Sequence, residues 1–121
     1  KKLAEDIQDT RANFTRFFLF TSKDNVPKNL KMEKTTLAFN TKHHAGALLN
    51  CLTRFSSMNI NLTKLESRPI PENPFEYTFF VDLIGSLESD NVKNCLKKLK
   101  DDTQKIKILG SYPMANKDFL K

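Results

Sequence analysis

No stretch of this 121-residue chain approaches the ~20 consecutive apolar residues needed to cross a bilayer. The opening Lys1-Lys2-Leu3-Ala4-Glu5-Asp6 turns acidic too early for a secretory leader, so the chain is expected to be soluble and cytoplasmic. Cysteine is scarce. Cys51 and Cys95 lack the close spacing of a disulfide scaffold or a zinc knuckle and are expected to be buried apolar residues. No short-period repeat and no low-complexity tract is present. The 20 basic residues outnumber the 14 acidic ones for a net charge of +6, yet they form no block of five or more. A nucleic-acid partner is therefore not demanded. No acidic residue lies at metal-site spacing from the adjacent His43 and His44, which read as surface residues, and neither a metal nor a cofactor is expected.

The length suits one domain with its own core plus a short appendage. Residues Leu3 to Ile7 read as a short polar helical piece, followed at once by an extended run, Thr15-Arg16-Phe17-Phe18-Leu19-Phe20, which looks like a fragment of something larger. Between Thr21 and Glu33 the composition shifts to Ser, Lys, Asp, Asn and Pro27 without apolar periodicity, which marks a linker. The chain thus divides into an upstream remnant (1–24), a linker (25–33), a domain (34–114) and a tail (115–121).

Within the domain, Thr35, Leu37 and Phe39 alternate with Thr36, Ala38 and Asn40, the period of a strand with one buried face. From Gly46 to Met58 the period becomes helical, with Leu48, Leu52 and Phe55 on one stripe and Leu49, Cys51 and Met58 beside it. Asn59 can end that helix. Ile60 to Arg68 reads as a second strand, in which Leu62 followed by Leu65 breaks alternation and implies a bulge or a twist near Thr63-Lys64. Pro69, Pro71, Asn73 and Pro74 make a turn, with Pro69 ending the strand. Phe75, Tyr77, Phe79, Val81 and Leu83 then give the third strand an apolar face. Ser89 can cap a second helix carrying Val92, Cys95, Leu96 and Leu99, and Ile106 and Ile108 mark a fourth strand ending near Tyr112. The order βαββαβ predicts an α+β, ferredoxin-like sandwich: a four-stranded antiparallel sheet with two helices on one face. Phe80 and Ile84 fall on the other face and suggest self-association.

The residues before Gly46, Thr41-Lys42-His43-His44-Ala45, offer no good cap, so the first N–H groups of that helix are free for a ligand. Glycine admits close approach, and the helix start favours a carboxylate or phosphate. Further along, Arg68 can pair with Glu66 in the charged run before Pro69. An RNA-recognition module shares the βαββαβ order, but Phe75-Glu76-Tyr77-Thr78-Phe79-Phe80-Val81 lacks the glycine and the opening Lys or Arg of that pattern. Lys93, Lys97, Lys98 and Lys100 read instead as a solvated helix face.

Taken in order, Gly46-Ala47-Leu48, Asn61-Leu62, Glu66-Ser67-Arg68-Pro69, the strand Phe75 to Asp82 and the closing Leu109-Gly110-Ser111-Tyr112-Pro113-Met114 resemble the ACT regulatory domain of prephenate dehydratase. Upstream, Asn13-Phe14-Thr15-Arg16-Phe17 resembles the Thr-Arg-Phe segment that ends that enzyme's catalytic domain. The resemblance implies a parent enzyme that converts prephenate to phenylpyruvate with loss of water and carbon dioxide, inhibited by L-phenylalanine bound to its ACT domains. It further implies that Gly46, Ala47 and Leu48 present backbone groups to phenylalanine, that Asn61 and Leu62 of a neighbouring subunit complete the pocket in a homo-oligomer, and that Glu66, Ser67, Arg68 and Pro69 support the interface. Thr15 would be a catalytic remnant that acts only beside the catalytic domain of the same polypeptide. The family usually has proline where this chain has Ala45, which loosens the turn. Arogenate dehydratases and the ACT domain of aromatic amino acid hydroxylases share parts of the pattern. A hydroxylase, however, would continue into an iron-binding domain and would lack the Thr15-Arg16-Phe17 stub and the Leu109 to Pro113 ending.

Overall fold

The computed structural model describes residues 3–4 and 17–115. The expected helical piece at Leu3–Ile7 and the residue Thr15 lie largely or wholly outside the described residues, as does most of the tail. Residues 17–20 form no strand, and the segment up to Glu33 contains only a 3-10 turn at Lys23–Asn25.

The domain runs β1 (Lys34–Thr41), α1 (Ala47–Ser57), β2 (Leu62–Ile70), β3 (Asn73–Ile84), α2 (Asp90–Asp102) and β4 (Thr103–Tyr112). The strands form one antiparallel sheet in the order β2-β3-β1-β4, the expected α+β arrangement. Leu37 and Phe39 of β1 and Val81 and Leu83 of β3 point to the helix side, where they join Cys51, Phe55, Val92, Cys95 and Leu99 in one buried cluster. Each fully buried apolar side chain of this size contributes about 1.5–3 kcal/mol relative to exposure. Both cysteines are wholly buried, and burial pushes each thiol up to about 11.

Several details depart from the periodicity. The buried stripe of α1 is Ala47, Cys51 and Phe55, with Leu48 only partly covered and Leu49 67 % exposed. The helix begins at Ala47 and is rotated so that Ala47 and Cys51, rather than Leu48 and Leu52, join Phe55 against the sheet. In β3 only Val81 and Leu83 are buried on the helix side, while Phe75 and Tyr77 are exposed. The reason is length: β1 pairs with β3 only from Thr78 onward, so the beginning of β3 projects beyond the central strands with β2 as its sole neighbour. Pro69 does not end β2. It lies inside the strand opposite Tyr77, on an edge strand, where proline is tolerated. The turn is correspondingly short, Pro71-Glu72, and Asn73 and Pro74 already belong to β3. Ser89 holds the cap position of α2 without a side-chain bond; Asn91 Oδ1 accepts the Val92 N–H at 3.0 Å instead. The bulge in β2 is where the sequence placed it, with the register shifting between Leu62 and Lys64.

The uncovered sheet face is not the apolar surface expected from Phe80 and Ile84. Register places Thr36, Asp82, Lys64, Glu66, Arg68, Lys105 and Lys107 there as well, so it is a mixed and partly charged face.

Candidate ligand-binding site

The connection from β1 to α1 is a tight turn. The His44 N–H donates to the Lys42 carbonyl at 3.0 Å and the Ala47 N–H to the His44 carbonyl at 3.2 Å. Lys42 Nζ ties the turn to the Asp101 carbonyl at the end of α2. Gly46 takes the N-cap position in the left-handed region, φ +79° and ψ 2°, with no side-chain cap. A residue with a Cβ pays about 1–2 kcal/mol there, which accounts for glycine. Its hydrogens face open space: a Cβ built at Gly46 meets nothing within 4 Å. The Gly46 carbonyl accepts the Asn50 N–H at 3.0 Å, while the Leu48 and Leu49 N–H groups have no acceptor among the described residues. The turn therefore presents two backbone donors at the positive end of a helix dipole, beside an uncrowded glycine. His43 and His44 are exposed, and no cluster of metal-ligating side chains occurs among the described residues.

Asn61 and Leu62 lie at the other end of α1. Asn59, at φ +54°, reverses the chain, the Ile60 N–H returns to the Phe55 carbonyl at 3.0 Å, and the Asn61 carbonyl accepts the Ile84 N–H at 2.9 Å. Leu52, Ser56, Asn59, Ile60, Asn61 and Leu62 line an open hollow there. Eleven helical residues separate the two places, roughly 16 Å at 1.5 Å per residue. One chain does not bring Gly46 and Asn61 together.

Glu66 to Pro69 occupy the exposed half of β2. Arg68 Nη2 donates to Glu66 Oε1 at 3.1 Å and Lys64 Nζ lies 3.4 Å from Glu66 Oε2, a solvated network on the open face worth little to stability. Ser67 and Pro69 point to the helix side, opposite Phe79 and Tyr77.

Sequence reasoning missed a half-buried polar chain on the open face that ends on a buried carboxylate. Thr36 Oγ1 donates to Asp82 Oδ1 at 2.7 Å, and since that hydroxyl has one proton, the Tyr112 hydroxyl donates to Thr36 Oγ1, also at 2.7 Å. Asp82 is 1 % exposed. A carboxylate between Val81 and Leu83 was the available signal. At the core edge, the Arg54 guanidinium donates to Asp102 at 2.5 Å; this hydrogen bond holds the Asp102 carboxyl below its ordinary value and raises Arg54.

The two helices on an antiparallel β2-β3-β1-β4 sheet define the class: an ACT-like α+β domain. No family model matches the sequence. The bifunctional chorismate mutase/prephenate dehydratase of Aquifex aeolicus is 46% identical over 113 residues, 93% of this chain and 31% of that protein. The chloroplastic arogenate dehydratase/prephenate dehydratase 2 of Arabidopsis thaliana is 34% identical over 121 residues, again 93% of this chain but 32% of the relative. Among solved structures, prephenate dehydratase from Arthrobacter aurescens in complex with L-Phe superposes with a TM-score of 0.64 at 31% identity, covering 74% of this chain and 29% of that one. The chain is homologous to the C-terminal part of prephenate dehydratases and spans about a third of the length of the curated relatives it matches.

Proposed function

We propose that this chain is the phenylalanine-sensing regulatory part of a prephenate dehydratase, with residues 34–114 as the ACT domain, residues 1–24 the end of the catalytic domain and residues 25–33 the linker. The observation that carries the reading is the start of α1: Gly46 at φ +79°, no side-chain cap, and the Leu48 and Leu49 N–H groups unpaired among the described residues. An α-amino acid carboxylate matches two such donors and the helix dipole. The open hollow at Leu62, lined by Leu52 and Ile60 together with polar Ser56, Asn59 and Asn61, then receives the aromatic ring from a second copy, because the two halves lie at opposite ends of α1. The relative solved with L-Phe supports the choice of ligand.

Ala47 is buried and fixes the turn against the core, Leu48 borders the ligand, and Glu66, Ser67, Arg68 and Pro69 line the edge strand that flanks the interface. Thr15 belongs to the catalytic machinery of the intact enzyme, and the 121 residues alone carry no dehydratase turnover. The relative that also acts as an arogenate dehydratase favours a second reading of the parent's substrate, with the same regulatory site.

Calorimetric titration of phenylalanine into the purified chain tests the proposal, with Gly46→Val as control. Saturable heat in the parent and none in a folded variant is expected; no heat in the parent removes the site.

A further inference from the structure

A helix ends in carbonyls that lack intrahelical partners, and it carries a partial negative charge there. In α2 three of these carbonyls are met by side chains. Thr103 Oγ1 donates to the Leu99 carbonyl at 2.9 Å, Lys42 Nζ to that of Asp101, and the Cys51 thiol to that of Asp102 at 3.7 Å. Two of the three donors belong to the β1–α1 turn and to α1, the elements that frame Gly46. Arg54, further along α1, adds its 2.5 Å hydrogen bond to the Asp102 carboxylate. That bond is the main cause of the depressed Asp102 carboxyl, and Lys42 and His44 of the turn pull it the same way. No loop intervenes where α2 passes into β4, and the first strand residue, Thr103, pairs with Thr41, the residue before Lys42.

From Lys42 the contacts run on to the start of α1. The Lys42 carbonyl holds the His44 N–H, the His44 carbonyl the Ala47 N–H and the Gly46 carbonyl the Asn50 N–H. Gly46 itself cannot fix the turn: glycine is the most permissive residue, it supplies no side-chain cap, and no atom lies within 4 Å of where its Cβ would be. We propose that Lys42 and Arg54 are positioning residues: by fastening the β1–α1 turn and the flank of α1 to the C-terminal end of α2, they set the direction in which the Leu48 and Leu49 N–H groups point. Both act through the turn rather than on the amino acid. The effect on affinity rests on the phenylalanine reading, whereas the fastening itself does not.

Amide hydrogen exchange on the chain without ligand reads the fastening, and calorimetric titration of phenylalanine reads its consequence. Lys42→Met is expected to speed exchange at Ala47 and Asn50 about two- to five-fold, the equivalent of losing a cation at a helix C-terminus. Ile84, bonded to the Asn61 carbonyl at the far end of α1, keeps the parent rate. Phenylalanine affinity falls by a similar factor, and Lys42→Arg, which retains a donor for the same carbonyl, restores both. Arg54→Met moves the same two amides and the affinity in the same direction. Parent exchange rates at Ala47 and Asn50 in either variant remove that residue from the proposal, and in both variants overturn it. An equal rise at Ile84 also overturns it, because it marks a general loss of stability. Faster exchange at the turn with undiminished affinity overturns the positioning role. Absence of heat in the parent removes the phenylalanine reading, and the exchange rates alone then decide whether the turn is fastened.

Discussion

Replacing Gly46 by alanine separates the two reasons a glycine can sit at this turn. If it serves only the backbone, the cost is confined to stability: at φ +79° a Cβ clashes with its own peptide, worth about 1–2 kcal/mol, with no added steric term because no atom lies within 4 Å of the new carbon. A domain with about 5–15 kcal/mol of stability remains folded. If the open space is where the ligand lies, the same methyl group intrudes on the amino acid bound to the Leu48 and Leu49 N–H groups. Displacement worth about 1.4 kcal/mol then weakens binding tenfold beyond the stability loss. Urea denaturation followed by far-ultraviolet circular dichroism measures the first effect, and calorimetric titration of phenylalanine, well below the denaturation midpoint, measures the second. Gly46→Asn is the companion variant, since asparagine enters the left-handed region more readily. The expected result is a stability loss smaller for asparagine than for alanine and a binding loss in both. Undiminished affinity in folded Gly46→Ala refutes the ligand role of this turn, and unchanged stability refutes the strained cap.

Three further outcomes follow from the packing. Gly85→Ala should be worse than Gly46→Ala, because φ is +147° and the new Cβ would lie 2.7 Å from buried Val92 Cγ2; strain and overpacking of about 1–3 kcal/mol each predict a large drop in the urea midpoint. Thr36→Val interrupts the Tyr112–Thr36–Asp82 chain and removes one hydrogen bond each from buried Asp82 and half-buried Tyr112, a loss of about 1–3 kcal/mol by the same assay; an unchanged midpoint would show that the chain is not holding β4 to the central strands. The folded-state pKa of Asp102 is depressed by Arg54, so its contribution is present above the unfolded carboxyl value, near ~3.9, and is lost as pH falls through the folded value. Asp102→Asn should flatten the acid limb of stability against pH; an identical limb in parent and variant contradicts that role.

Much of the fold was legible because its signals are local. The helix/strand order, the bulge betrayed by Leu62 and Leu65, and the reversal at Asn59 depend on neighbouring residues alone. What misled were tertiary effects. Phe75 and Tyr77 fit the apolar period of β3 but project past the end of β1, where no helix covers them. Pro69 reads as a stop until β2 is known to be an edge. The open face looked apolar because Phe80 and Ile84 were read along one strand, whereas Lys64, Glu66, Lys105 and Lys107 reach it only through register. The Gly46 turn was visible as an uncapped helix start, but its distance from Asn61 required the structure.

That split gives the most direct test. Gly46→Val and Asn61→Ala are each expected to abolish phenylalanine binding while remaining folded and able to self-associate, the first at a cost in stability. In a symmetric dimer whose sites each draw one half from either subunit, mixing and re-equilibrating the two variants restores about one quarter of the parent sites, all in the hybrid dimers. Calorimetric stoichiometry on the mixture, alongside sedimentation to confirm exchange, measures this. Recovery of about a quarter of the parent sites is the expected result; no recovery in a mixture shown to exchange, or a parent that binds phenylalanine as a strict monomer, contradicts the shared site.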